Sequence, residues 1–339
     1  MALQFGFWVP VCGGWLRVAP PPPVSFPALL AQAEEADREG YDFCYIPEHY
    51  LNAVYGPAQP VADAWVTAAA IAARTRRIRV ITAVQPGFKA PGVVAKMGAS
   101  IDALRPDAFG LSVLAGWWRR EAEMHGDAWL PHAERYRRTG EYLEIIRGLW
   151  SQRRFDFEGR HFRMHEGVSA PRPDRPPPTW VAGESESAID LAARLGDTLF
   201  VNGGSADHVA ELVTRVKDRA RERHGRTVRV ALSAFALLRD TRAEAERAAE
   251  ALAASADLAT IRYFDEEMDR QVVAHTRGTD ADRIEANLGL SAGLVGDRET
   301  ILQRIRAFEE AGVDAIALKF EGVAGEPARF YREVIARTR

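Results

Sequence analysis

Eight short apolar runs rich in Val, Ile and Phe recur along the chain, each separated from the next by a longer stretch of helical periodicity. The runs are FGFWVPV (5–11), DFCYIP (42–47), IRVITAV (78–84), AFGLSVLA (108–115), TWVAG (179–183), TLFVNG (198–203), VRVALSAFALL (228–238) and DAIALKF (314–320). Helices are expected between them at 26–39, 61–75, 91–104, 133–150, 187–195, 206–223, 241–255 and 298–311, with 324–337 closing the chain. Short strands alternating with helices imply βαβ units and a parallel sheet. Eight such units in 339 residues predict an α/β fold, a (β/α)8 TIM-like barrel with insertions, spanning 1–339 as a single domain.

Two segments do not fit the alternation and read as insertions. Residues 153–178, RRFDFEGRHFRMHEGVSAPRPDRPPP, read as a β-hairpin around an EG turn followed by a proline-rich strap. Residues 256–292 are dense in Asp, Arg and Ala, fit no strand, and are expected to form helices with a mobile segment that could act as a lid. A third loop, LRVAPPPPVSFP (16–27), is stiffened by its prolines.

Composition narrows the ligand. With 44 basic and 47 acidic side chains the net charge is −3, so no overall field attracts nucleic acid or an anionic membrane. The apolar runs are all shorter than a membrane span requires. Only Cys12 and Cys44 are present and their settings differ, which argues against a disulfide and for a reducing, cytoplasmic setting. The N-terminus MALQFGFWVPV lacks the basic start of a signal peptide.

In a barrel of this kind the chemistry lies at the C-terminal ends of the strands. Those positions hold Trp8, Cys12 and Trp15 after the first strand, Glu48 and His49 after the second, and Gln85 after the third. Ser112, Trp117 and Trp118 follow on the fourth, Gly183 to Ser185 on the fifth, Asn202 on the sixth, Ser233 and Phe235 on the seventh, and Phe320 on the eighth. This lining is aromatic and poor in fixed charge, so it suits a flat ligand and a neutral or aromatic substrate. Zinc is disfavoured because His49 has no histidine partner at helical spacing, and His161 and His165 fall in the hairpin. The chain has no G-x-S-x-G elbow and no G-x-G-x-x-G loop, against a serine hydrolase and a dinucleotide site.

A phosphate site has more support. The run TWVAGESESAIDLAARLG leads from a strand through Gly183 into a helix, whose first N–H groups and Ser185 hydroxyl form an anion-binding end. Glu184 and Glu186 weigh against it, as an ordinary N-cap would look the same. Arg135 and Tyr136, at the start of a long helix, could hold a phosphate or simply lie on a solvated face.

Read together, FGFWVPVCGGW, AEEADREGYDFCYIPEH, KMGASIDALRPDAFGLSVLAGWW, WLPHAERYRRTGEYLEIIRGLW, DFEGRHF, WVAGESESA and LVGDRETILQRI, in this order and spacing, give the chain a resemblance over nearly its whole length. It resembles the bacterial luciferase-like flavin-dependent monooxygenases, in the branch with dimethyl sulfone monooxygenase, pyrimidine oxygenase and alkanesulfonate monooxygenase. The resemblance implies a two-component enzyme that binds reduced FMN delivered by a separate flavin reductase and uses O2. It also implies flavin contacts at Glu48, His49, Ser112, Glu121, Arg135, Tyr136 and Ser185, with Trp117 and His49 at the reacting centre. Trp8, Cys12, Trp15, Phe235 and Phe320 would then face the substrate. Ser112 stands where pyrimidine oxygenase and its relatives carry Asn, and Ser233 and Phe235 where alkanesulfonate monooxygenase carries Arg and His. The alternatives are a deazaflavin-dependent hydride-transfer oxidoreductase on the same fold and a flavin-binding protein without turnover. A homodimer or homotetramer is expected, pairing through Val66, Ala69, Ala70 and Ala73 of the helix after the second strand.

Overall fold

The computed structural model describes residues 2–267, 292–320 and 325–339. Its frame is a closed barrel of eight parallel strands: β1 (Gln4–Trp8), β2 (Phe43–Ile46), β3 (Arg79–Val84), β4 (Phe109–Val113), β7 (Thr179–Ala182), β8 (Thr198–Val201), β9 (Arg229–Leu238) and β11 (Ala315–Lys319). The ring closes where β8 pairs with β9 and β11 with β1. All eight expected strands are present at the expected places. Helices cover the outside: α1 (Phe26–Glu39), α2 (Ala64–Arg74), α3 (Pro91–Leu104), α5 (His132–Ser151), α6 (Glu186–Leu195), α7 (Ala206–His224), α8 (Arg242–Ala254), α10 (Arg298–Glu310) and α11 (Glu326–Glu333).

Helix starts fall close to their expected positions, and at several of them a side chain fixes the start. Asp63 caps α2 with bonds from the Trp65 and Val66 N–H groups at 2.9 and 2.8 Å. Ser185 caps α6, Asp297 caps α10, and Thr241 with Glu244 forms a capping box on α8. One short helix, α4 (Arg119–Met124), escaped the periodicity, while α9 (Leu258–Glu267) falls in the segment expected to be helical. Strand β10 (Leu294–Gly296), which pairs with the last residues of β9 beyond the ring, escaped it as well. The first insertion is the expected hairpin, β5 (Phe155–Glu158) and β6 (Arg163–Gly167). Of the second, α9 is described, and the lid expectation for 268–291 lies outside the described residues.

Strand residues alternate between the helices and the barrel interior. Phe5, Phe7, Cys44, Ile46, Val80, Leu111, Val113, Ile316 and Leu318 pack outward against helices. Inward, Phe43, Tyr45, Ile81, Trp180 and Phe200 fill the interior beside small residues, Ala231, Ala315 and Ala317. Gly6 belongs to this fit, since a Cβ there would lie 2.3 Å from the Phe43 ring. At the N-terminal end of the barrel, aspartates bind N–H groups of neighbouring strands: Asp42 that of Phe5, Asp197 that of Thr179 and Asp314 that of Val230. Polar groups there serve the frame; the opposite end is left for chemistry.

Candidate active site

Two glutamates anchor the β2–β3–β4 side of the mouth, and both are buried. Glu48, directly after β2, accepts from the Trp65 indole at 2.9 Å, the Lys89 ammonium at 2.5 Å and the Gln85 backbone N–H at 2.8 Å. Burial raises its carboxyl above the ordinary range, against the opposing pull of Lys89. Glu121, in α4, accepts from the Tyr50 and Leu51 N–H groups at 2.7 and 3.2 Å and lies 3.2 Å from His49 Nδ1. Burial would raise this carboxyl too, but His49 and the backbone donors win and hold it below the ordinary range. Gln85 bridges the two, with its side-chain amide 3.2 Å from the Glu48 carbonyl and 3.4 Å from Glu121. Both glutamates are thus engaged by the protein, and His49, with 13% of its side chain exposed, is the member that reaches the mouth.

The aromatic lining has a definite order. Trp117 stacks on Trp118 with centroids 5.7 Å apart and stands edge-on to His49 at 5.7 Å. Trp118 is buried against Phe264 of α9, so only Trp117 of this pair stays partly open. Across the mouth, Trp8 packs on Tyr45 at 4.4 Å, on Phe200 at 5.6 Å and against Trp15 at 5.2 Å. Ser112 is fully buried beneath them, its hydroxyl 3.0 Å from that of Tyr45.

The corner between α5 and α6 joins three expected residues. Gly183 adopts φ +133°, and a Cβ there would sit 2.7 Å from the Tyr136 hydroxyl, so only glycine lets Tyr136 approach. Two residues on, the Ser185 hydroxyl accepts from the Ala188 N–H at 3.3 Å. Glu184 is turned aside: its carboxylate accepts from the Asn202 N–H at 2.8 Å and lies 3.6 Å from His208. Glu186, the other acidic residue of this turn, accepts from Arg215 and Arg219, so both carboxylates are engaged and weigh less against an anion at this helix start. Arg135 is buried, stacked 3.9 Å over the Trp129 ring and donating to the Leu130 carbonyl at 2.8 Å. These groups are of the kind a phosphate-bearing flavin needs, a guanidinium, a phenol and the N–H groups of a helix start.

Several expected substrate contacts sit elsewhere. Phe320 faces outward and packs on Phe330 at 5.6 Å within the helix-side core. Strand parity explains the misassignment: Ala315 and Ala317 point inward, so Lys319 takes the inward place at the mouth. Phe235 is buried with Leu16 and Leu252 beneath the first loop and α8. Cys12 is a buried wall residue whose thiol is pushed up to about 12 by burial, which rules it out as a nucleophile at neutral pH. Lys319, Arg17, Lys89, Trp65 and Trp129 were missed. Their signal was weak, as each lies within a helix, loop or apolar run that reads as scaffold. Among the described residues no group of three or more His, Cys, Asp and Glu could hold a metal ion, and no helix is long and apolar enough to cross a membrane.

Residues 3–315 match a family model described as luciferase-like monooxygenase. The FMNH2-dependent dimethylsulfone monooxygenase of Pseudomonas putida is 30% identical over 351 residues, covering 99% of this chain and 95% of that protein. EDTA monooxygenase from Chelativorans sp. BNC1 superposes with a TM-score of 0.85 at 19% identity, over 100% of this chain and 93% of that one. An F420-dependent secondary alcohol dehydrogenase superposes with a TM-score of 0.78 at 21% identity, over 100% of both chains. The last two are likenesses of fold. The family match and the full-length identity with the Pseudomonas putida protein carry the assignment: the chain belongs to the luciferase-like monooxygenase family.

Proposed function

We propose that this chain is a two-component monooxygenase that takes reduced FMN from a separate flavin reductase and uses O2 to oxidise a small organic substrate in the barrel mouth. The observation that carries this reading is the α5–α6 corner, where Tyr136, Gly183 and Ser185 come together at a helix start, with the buried Arg135 one residue before Tyr136 on α5. The names of the Pseudomonas relatives, both FMNH2-dependent, support the same cofactor. In this reading Arg135, Tyr136 and Ser185 hold the phosphate, and Trp117 and His49 face the ring system. The bound flavin supplies the electrons and the site of O2 activation. The protein's part is to keep the centre dry: Trp117, Trp8 and Trp15 exclude water, and Glu121 fixes which His49 nitrogen carries hydrogen. Glu48 and Ser112 act beneath the surface by holding Lys89 and Tyr45.

The expectation of a neutral substrate rested on a mouth with few fixed charges. Lys319 and Arg17 remove that premise, while the aromatic walls still favour a flat or apolar body. Self-association belongs to the proposal as well. On α2, Val66 is 63% exposed and Ala73 is exposed, and on α3 Val93 and Leu104 are 51% and 55% exposed, a surface suited to a second copy. The proposed setting is the cytoplasm.

The test is an anaerobic titration with reduced FMN followed by mixing with air. Tight binding of reduced FMN and reoxidation in resolved phases, slower than for free flavin, is the expected result. The likeness to the F420-dependent dehydrogenase keeps a deazaflavin reading in view; affinity for a deazaflavin with none for FMN would establish that reading instead. Tight binding of oxidised FMN with no change in its reactivity towards O2 would mark a flavin-binding protein without turnover.

A further inference from the structure

Lys319 is the last residue of the last barrel strand, and it continues the inward series of Ala315 and Ala317. Its ammonium lies 4.5 Å from the centroid of the Trp8 ring and 5.7 Å from that of Trp15. Ring faces stabilise a cation but accept no conventional hydrogen bond, so they leave its three N–H donors open. Among the described residues no carboxylate pairs with this ammonium and no oxygen accepts from it. The Nε1–H of Trp8, the ring beside this half-buried ammonium, is a buried donor with no acceptor among the described residues. A buried donor without an acceptor is costly, and beside it stands a half-buried ammonium that no described carboxylate pairs, so the mouth presents two donors that an acceptor from a ligand would satisfy.

We propose that Lys319, held between Trp8 and Trp15, seats an anionic oxygen of the substrate, which is therefore a small organic acid, a carboxylate or a sulfonate. The word substrate rests on the proposed monooxygenase reading; the anion seat itself does not. Arg17 adds to the field: its guanidinium lies near enough to oppose the Lys319 charge, and burial with this repulsion lowers the lysine to about 8. An anion placed against the ammonium relieves both effects at once. The apolar part of the acid then has the ring surfaces of Trp8 and Trp15, which meet edge to face at 5.2 Å.

Calorimetric titration of the flavin-free protein with benzoate, benzenesulfonate and the neutral benzamide tests the seat. At least one anion is expected to bind about tenfold or more tightly than benzamide, roughly the worth of one charge-assisted hydrogen bond. Lys319→Met and Lys319→Gln should abolish that preference, and Lys319→Arg should keep it; two neutral variants guard against one of them failing to fold. Comparing the two anion arms shows which oxyanion geometry fits. No binding of either anion, no preference over benzamide, or a preference that survives both neutral variants overturns the proposal. So does a loss of FMN affinity in Lys319→Met with the anion preference intact, which would move Lys319 to the flavin. Failure of every protein to bind FMN would overturn the flavin reading alone, since the anion titration contains no flavin.

Discussion

The Nδ1 atom of His49 lies 3.2 Å from each carboxylate oxygen of Glu121, and since this carboxyl is held in its ionised, acceptor-only form, Nδ1–H is the donor. Nε2 is then the nitrogen that a ligand meets. Glu121→Gln replaces an acceptor-only group by one that turns an amide N–H towards the donors of His49, Tyr50 and Leu51. The expected cost is about 2 to 3 kcal/mol in urea unfolding, in line with hydrogen bonds to a buried charge. Because the folded carboxyl sits below its ordinary value of 4.5, its contribution is present above that value and lost as pH falls through the lowered one. The parent should therefore lose stability on acidification more steeply than Glu121→Gln, and equal slopes would refute this account.

Glu48 and Lys89 form the other buried pair, with the Trp65 indole on the same carboxylate oxygen. Glu48→Gln leaves the ammonium without its counter-charge, and a loss of about 2 to 4 kcal/mol is expected from chemical denaturation. Glu48→Gln combined with Lys89→Met removes both charges and should recover part of that loss. A double variant as unstable as the sum of the two singles would show that the pair is not coupled.

These two networks also mark the limit of what the sequence discloses. The frame was legible because each barrel strand is a bounded apolar run and several helices start at a capping residue, among them Asp63, Ser185 and Thr241. The site was less so. Strands in a parallel barrel are buried on both faces, so a run such as DAIALKF carries no visible alternation, and Phe320 rather than Lys319 reads as its exposed end. Lys89 and Trp65 meet Glu48 across 41 and 17 residues, a pairing that only the closed barrel creates. That Tyr136 and Ser185 stand at the starts of α5 and α6 was readable because helix starts are local.

Neither cysteine should react in the native protein. Burial pushes the Cys12 thiol up to about 12 and that of Cys44 higher still, so neither forms thiolate near neutral pH. A thiol-specific disulfide reagent is expected to label none of the two cysteines in the folded chain and both after denaturation. Rapid native labelling of Cys12 would mean that the wall of the first loop opens.

Lys319 gives a pH dependence of the same sign as Glu121, in a window several pH units higher. Its folded value of about 8 is below the ordinary 10.5, so between these values the unfolded chain holds a proton that the folded chain has released. Stability contributed by this residue therefore rises with pH across that window. Buried tyrosines such as Tyr45 and Tyr55 oppose it towards the upper end, where the unfolded chain ionises first. The comparison that isolates the lysine is parent against Lys319→Met: the parent should gain stability relative to the variant as pH is raised from about 8. A constant difference would show that the ammonium is not destabilised by its cage.

The phosphate anchor can be tested at one residue. Arg135 is buried over Trp129 and next in sequence to Tyr136, whose hydroxyl lies at Gly183 before the α6 start. If these groups hold the FMN phosphate, Arg135→Ala removes a charge-assisted hydrogen bond worth about 1.5 to 3 kcal/mol, roughly a tenfold to hundredfold loss of affinity. Removing a buried side chain also risks a general loosening, and riboflavin separates the two effects. It lacks the phosphate, so its weaker binding should hardly change in Arg135→Ala, whereas a loosened mouth would weaken both flavins alike. Added salt supplies a second check, since screening reduces the advantage of FMN over riboflavin in the parent and has little left to reduce in the variant. If Arg135→Ala binds reduced FMN as tightly as the parent, the phosphate is held away from the α5–α6 corner, and Tyr136 and Ser185 lose their proposed role with it.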